Sequence, residues 1–462
     1  MDNTIIFPPI NESCCKLLPR GPLRIFNFSI AILFATLCFF GEASAATAFT
    51  GDNLGVVRSK NREVKPLKIS GYVFNDLNKN GVLDLAAEGV AGEKGVSGVA
   101  VSDGYCVAVT DAEGKYSIEI NPDAHVLNIS VPSYYKSRGD FYRGLEEIKK
   151  RPNIDKKRAN GPVRVDFALE EYNNQPRKFV HLSDTEARIY KDWVDEIKDY
   201  AAENEAAFIL FSGDICYEKG LKLHRDYLNS KALGITSYFT VGNHDLVDGD
   251  YGEQLYEQCF GPAYYSFNAA GVHFLSLPVP FGDKKTFYDY DKIYAWMKKD
   301  LSLLPEGTPI IIFCHMIIGY DKEFNMIGKT DSIEMKRYNL KGYIYGHHHV
   351  NLANTTKNGV RMFCTCSPNK GGTEHTPSSY RVLTFDEKGN IRSELRYSNF
   401  QNSAVAIASR ADKIERNGIG GKEYSSCATH ISSIVYDTSS DTKSATVVAL
   451  DGSSLLHIND FY

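Results

Sequence analysis

Between residues 66 and 170 apolar and polar positions alternate in short runs. Between 176 and 398 solid apolar runs alternate with amphipathic stretches. The first pattern predicts strands over 68–74, 98–101, 106–109, 116–120, 126–131 and 163–167. Turn clusters such as Ser102-Asp103-Gly104 and Asp111-Ala112-Glu113-Gly114 separate them, and strands this short at this spacing predict an all-β sandwich module. The second pattern predicts strands over 179–183, 207–211, 237–240, 309–313 and 342–345 and a hairpin over 264–277. Helices are expected over 191–202 (with Trp193, Ile197 and Ala201 on one face), 221–232 and 292–303. Apolar strands interleaved with helices predict an α/β domain. Beyond it, over 399–462, runs at 433–436 and 445–450 predict a small β-rich tail.

Composition narrows the class only a little. With 43% hydrophobic and 24% charged residues the 462-residue chain reads as ordinary globular protein of two or three domains. A net charge of −5 provides no global basic field, which argues against nucleic acid or an anionic membrane as partner. The N-terminus changes the picture more. Arg20 and Arg24 precede an apolar run over 25–40, and Ala43-Ser44-Ala45 follows. This reads as a signal peptide over 1–45, so the protein is expected to be exported, to the periplasm, cell surface or medium. The apolar run is shorter than the ~20 residues of a spanning helix, so no integral span is expected in the mature chain. Start of translation downstream of Met1 is the other reading of so long a leader. Three of the ten cysteines (Cys14, Cys15, Cys38) fall in the leader. The other seven form no regular framework, and Cys364 and Cys366, two apart on a strand, are poorly placed to bond each other.

The candidate chemistry lies where strands end. Asp184-Thr185-Glu186, Gly213-Asp214, Gly242-Asn243-His244-Asp245, Cys314-His315 and Gly346-His347-His348-His349 each follow an apolar run. The carboxyl ends of strands are where ligands bind in α/β sheets, and five such ends with metal-capable residues point to one constellation. The Asn243 amide can ligate a hard cation, and the His244 imidazole can donate a proton, with the Asp245 carboxylate available to hold it protonated. A second candidate lies in the β module. Asp76, Asn78, Asn80 and Asp84 alternate around Gly81 like the first part of a calcium loop. The twelfth position is Ala87, with Glu88 one residue late, and the competing reading is an Asx-rich hairpin turn.

In their order, the five motifs resemble those of the calcineurin-like metallophosphoesterases, across nearly all of 176–398. The flanking β regions resemble those of the exported bacterial three-part type, and 66–170 also looks like a carboxypeptidase-regulatory or Sdr-repeat module. The resemblance implies a four-layer αββα sandwich with two divalent ions (Mn, Fe, Mg or Zn). Asp184, Glu186, Asp214 and His349 would hold one, and Asp214, Asn243, His315 and His347 the other, with His348 at the variable position. It implies hydrolysis of a phosphomonoester or phosphodiester, small or glycan- or lipid-linked, by metal-bound hydroxide. His244, oriented by Asp245, would protonate the leaving oxygen or stabilise transition-state charge. Lys370, His375 and Arg381 are candidates to approach the substrate, the competing reading being a solvated loop. Glu186 departs from the His or Gln usual at its position. A third carboxylate makes the set harder, favouring manganese, magnesium or iron, and reduces Lewis acidity. The alternatives are a nuclease-like phosphodiesterase and a degenerate domain kept as a surface binding protein.

Overall fold

The computed structural model describes residues 66–398, apart from 87–91, 151–160, 173, 248, 318–323 and 374–375, together with four strands beyond 398. The expected leader over 1–45 lies outside the described residues. Among them no helix is long and apolar enough to cross a membrane.

The first region folds as two facing sheets. Lys68–Asn75 pairs antiparallel with Lys115–Glu119 and parallel with Val163–Arg164 and Phe167–Glu171, while Tyr135–Ser137 closes the edge. Val107–Val109, Ala100–Ser102, Val126–Ile129 and Tyr142–Gly144 form the second sheet. The run expected as one strand over 163–167 is broken, because Asp166 turns its carboxylate back to accept from Tyr72 N at 2.9 Å.

The α/β region is built on two larger sheets. In one, Lys178–Leu182, Phe208–Phe211 and Ser237–Phe239 run parallel, and Ser379–Phe385 and Ile391–Tyr397 extend the sheet antiparallel. In the other, the order is Tyr265–Ala269, Val272–Leu277, Pro309–Cys314, Asn339–Tyr345, Arg361–Cys364 and Leu352–Thr355. The period of two decides the layering. Phe179, Phe208 and Leu210 share one buried cluster with Phe274, Ile311, Phe313 and Ile344 of the opposite sheet. Their alternates Val180, Ile209, Phe211, Ile310 and Ile312 share another with Trp193, Ile197, Tyr294 and Met297 of the helices Trp193–Glu203 and Tyr290–Leu301. Aromatic rings lock the inner interface: Phe179 stacks on Phe208 at 4.7 Å and meets Phe274 edge-on at 6.0 Å. This is a four-layer αββα sandwich. The helix expected over 221–232 is two, Tyr217–Tyr227 and Ser230–Leu233, because Asn229 caps a fresh start by accepting from Lys231 N and Ala232 N.

The β module is not a tethered stalk. Its Val131 and Phe141 lie in the same buried cluster as Phe267 and Phe274. Asn268 N donates to Val131 O at 2.7 Å, and the Gln175 side-chain carbonyl accepts from both Tyr134 N and Ala270 N. Trp296 Nε1 donates to Ser102 Oγ at 3.2 Å. The module buttresses one edge of the six-stranded sheet. In the tail, Ala404–Ser409 pairs with Ile431–Tyr436, and Ala445–Val448 with Ser454–Ile458, as two antiparallel hairpins.

Candidate metal centre

Parallel strands bring their carboxyl ends to one edge of the sandwich, and the candidate ligands follow those ends. Their backbone is unusual. Asp184, Glu186, Asp214, His347 and His349 all have positive φ, between 41° and 66°, and Cys216 (68°) and Tyr217 (57°) follow suit. Left-handed backbone costs a residue with a Cβ roughly 1–2 kcal/mol, and such strain concentrates where the surrounding structure holds a functional loop in place. Glycines make the close approach feasible. A Cβ on Gly242 would run into the Asp214 carboxylate, and one on Gly346 would fall on Ser183 Oγ and Asp184 Oδ2.

Between these loops the side chains converge. His315 Nε2 lies 3.1 Å from Asp214 Oδ2, 4.0 Å from Asp184 Oδ1 and 3.2 Å from His347 Nδ1. His349 Nε2 lies 3.2 Å from Asp184 Oδ1 and 3.6 Å from Glu186 Oε1. One ligand atom each from Asp214, His315 and His347 falls within a 4.8 Å cluster. His348 is exposed, which fixes the register of the three histidines. His315 Nδ1–H donates to Ser212 O at 2.8 Å, and this leaves the Nε2 lone pair facing the cluster. Asn243 Oδ1 is buried without a hydrogen-bond partner, and Asp184 Oδ1, also buried, has none either although imidazole nitrogens face it. Buried oxygens are seldom left unpaired. Two of them beside crowded imidazole nitrogens form a mixed nitrogen–oxygen donor set that fits divalent metal cations.

The electrostatics describe the same crowding. Burial opposes the charge on His315, but the Asp214 and Asp184 carboxylates outweigh it and hold the imidazole up to about 9. Burial likewise opposes the charge on Asp214, yet His315 draws its carboxyl below the ordinary range. His347 is pushed down by burial and by His315, while Asp184 raises His349.

The second half of the Gly242–Asp245 motif works differently from expectation. Asp245 is fully buried and accepts from Gly242 N at 2.8 Å and Cys216 N at 3.0 Å. It ties the 242–245 turn to the 213–217 turn and does not orient His244. That task falls to Asp283, whose Oδ2 is 2.8 Å from His244 Nδ1. Although burial works against it, Asp283 and then Asp214 raise the imidazole pKa. Asp283 carries no sequence signal, because it comes from a loop some forty residues downstream.

The outlying candidates divide. Glu186 forms an ion pair with Lys370, so the third carboxylate does not act as a bare additional charge. The turn carrying Lys370 is docked by Asn369 Nδ2 on Thr185 O and by Thr373 N on His349 O. Arg381 is not a substrate contact: it is buried in the sheet and donates to Cys364 O, Ser393 Oγ and Thr365 Oγ1. His375 lies outside the described residues. In the β module Asp76, Asn78, Asn80 and Asp84 come together in one turn. Asp76 accepts from Asn80 N and Gly81 N, and the side-chain amides of Asn78 and Asn80 donate to Asp84 Oδ2. Glu93 closes the loop by accepting from Leu77 N and Asp84 N.

Comparison with known proteins agrees with this geometry. Residues 177–351 match the family model described as calcineurin-like phosphoesterase, and residues 86–156 match that of its N-terminal domain. No curated protein matches the chain. Similar solved structures include a purple acid phosphatase from yellow lupin (Lupinus luteus) seeds, 13% identical with a TM-score of 0.37. The alignment covers 62% of this chain and 60% of the lupin protein, so the chain spans less than two thirds of that relative. A dimetal phosphatase from Danio rerio is 11% identical with a TM-score of 0.32, over 48% of this chain and 99% of the other. With its two family-model matches covering most of the α/β domain and most of the module before it, the chain belongs to the calcineurin-like phosphoesterase family.

Proposed function

We propose that this protein is an exported phosphoesterase that uses two divalent metals to hydrolyse a small phosphomonoester or phosphodiester. The observation that carries the reading is the convergence of the Asp214, His315 and His347 cluster with two buried oxygens: Asn243 Oδ1, which has no hydrogen-bond partner, and Asp184 Oδ1, which His315 and His349 face. Export is supported by the leader alone.

Asp184, Glu186, Asp214 and His349 would hold one ion, and Asp214, Asn243, His315 and His347 the other. When bound, the metals supply Lewis-acid charge for the phosphoryl oxygens and acidify water toward neutrality. The chain's own residues do the rest. The Ser212 carbonyl keeps the His315 proton on Nδ1, so Nε2 stays a ligand. His244 presents Nε2 while Asp283 holds Nδ1–H. A protonated His244 gives its Nε2 proton to the leaving oxygen as the phosphorus–oxygen bond breaks, and the Asp283 carboxylate stabilises the charge it held beforehand.

The test is hydrolysis of an aryl phosphomonoester and its methyl diester by the manganese-loaded mature protein, with Asp214→Asn beside it. Turnover absent from the variant is expected. A folded, metal-loaded protein that cleaves neither ester would overturn the reading.

A further inference from the structure

Next to His244 the rim of the centre carries a second grouping that none of the metal chemistry uses. Tyr217 lies three residues beyond Asp214, with its ring centroid 5.6 Å from the His244 ring. The Arg188 guanidinium sits over that same tyrosine, 5.4 Å from its centroid. Arg188 is exposed and has no carboxylate partner among the described residues. Tyr217 is itself 43% exposed, yet it is not loosely held. Its left-handed backbone and that of Cys216 are pinned from below, where buried Asp245 accepts Cys216 N. A guanidinium set over an aromatic ring, with no carboxylate partner among the described residues, is arranged to receive a carboxylate or phosphate in bidentate fashion. The position decides which part of the substrate that anion belongs to. His244 marks the side from which the leaving oxygen departs, and the Tyr217 ring that neighbours it is the one that carries Arg188.

Resting on the phosphoesterase reading above, we propose that Arg188, positioned by Tyr217, recognises an anionic group carried by the leaving group. The substrate class is then phosphoesters of alcohols or phenols that bear a carboxylate or a second phosphate. Tyr217 acts through Arg188 and is a positioning residue. Its ring suffices for the role and its hydroxyl is not required.

The test uses non-hydrolysable ligands, so that it does not depend on turnover. Binding of phenylphosphonate and of 3-carboxyphenylphosphonate to the manganese-loaded protein is measured by calorimetry at low and high salt. The carboxylated ligand is expected to bind about tenfold tighter at low salt, the scale of one charge-assisted contact discounted for exposure. The preference shrinks as salt is raised. Arg188→Met removes the difference between the two ligands, Tyr217→Leu reduces it, and Tyr217→Phe keeps it. Equal affinity of the wild-type protein for both ligands would overturn the proposal, as would a Tyr217→Phe protein that behaves like Tyr217→Leu. A preference that survives in a protein cleaving no ester would sustain this site and overturn the catalytic reading alone.

Discussion

Replacing Lys370 by methionine is expected to tighten divalent-metal binding while slowing turnover. The Lys370 ammonium pairs with Glu186, whose other oxygen faces His349. Any cation held by Glu186 therefore shares that carboxylate with a fixed positive charge. Lys370 is 53% exposed and Glu186 19%, so water screens the pair and a high effective dielectric applies. A divalent and a unit charge ~6 Å apart repel by ~1.4–2.8 kcal/mol at an effective dielectric of ~80 to ~40. Removing the ammonium should therefore raise affinity at this position about ten- to a hundredfold. Turnover should fall, because a carboxylate no longer shared with Lys370 gives more of its charge to the metal and leaves it a weaker Lewis acid. The assay is a competition titration of Mn2+ against a chromogenic chelator for wild type and Lys370→Met, with turnover of the better aryl ester measured on the same samples. Unchanged or weaker metal affinity in the variant would refute the reasoning, since it would mean that Lys370 does not oppose the metal through Glu186.

Other consequences are equally direct. Asp283→Asn withdraws the carboxylate that helps raise His244, so the alkaline limb of kcat/KM should move to lower pH and kcat should drop ~10²-fold, the lower range for a general acid; an unmoved limb in a pH–rate profile would count against the pair. Asp245→Asn leaves one of two backbone N–H groups facing an amide NH2, at a cost of ~1–3 kcal/mol at low pH in urea unfolding. Burial, with Asp214 next, raises the Asp245 carboxyl to about 7, above its unfolded value. Wild type should thus lose stability as pH rises toward 7, and the gap to the Asn variant should narrow over that window; a gap independent of pH would contradict the assignment. His224 is buried and pushed down to about 4, so the unfolded chain takes its proton first as pH falls below ~6.5. His224→Gln should therefore flatten the acid side of the stability profile by ~1.4 kcal/mol per pH unit between about 6.5 and 4, which unfolding titrations at several pH values would read.

What could be read in advance, and what could not, follows from the range of the interactions involved. The ligand positions were legible because each follows a strand whose residues are buried on both faces, such as Phe208–Phe211 before Asp214 and Pro309–Cys314 before His315. A run of that kind states both the element and the place where it ends. The layering was legible for the same reason, since Phe179 and Val180 have to face opposite ways. The strand Ser379–Phe385 was not, because Arg381 within it looks like a solvent-facing cation until its three sheet acceptors are in place. The task expected of Asp245, holding His244, falls to Asp283 for a related reason. A carboxylate adjacent in sequence to a histidine is the obvious partner, but a 3-10 turn over Asn243–Asp245 sends the two side chains apart. Proximity along the chain carried no information about which acid the imidazole meets.

That exchange bears on how the centre holds together. If Asp245 served His244, nothing among the described contacts would tie Cys216 to Gly242 through a side chain, and left-handed Cys216 and Tyr217 would lack that anchor. As built, one buried carboxylate spans the two turns that carry Asp214 and Asn243, and a separate, half-exposed carboxylate serves the proton donor. The two functions are therefore separable by mutation. Damage to Asp245 should appear in stability and in the placement of Asp214, Asn243 and Tyr217 together. Damage to Asp283 should leave metal content and stability intact and appear in kcat and the pH profile. A single carboxylate doing both tasks could not produce that split, so the pair of variants distinguishes this arrangement from the one that adjacency in sequence suggests.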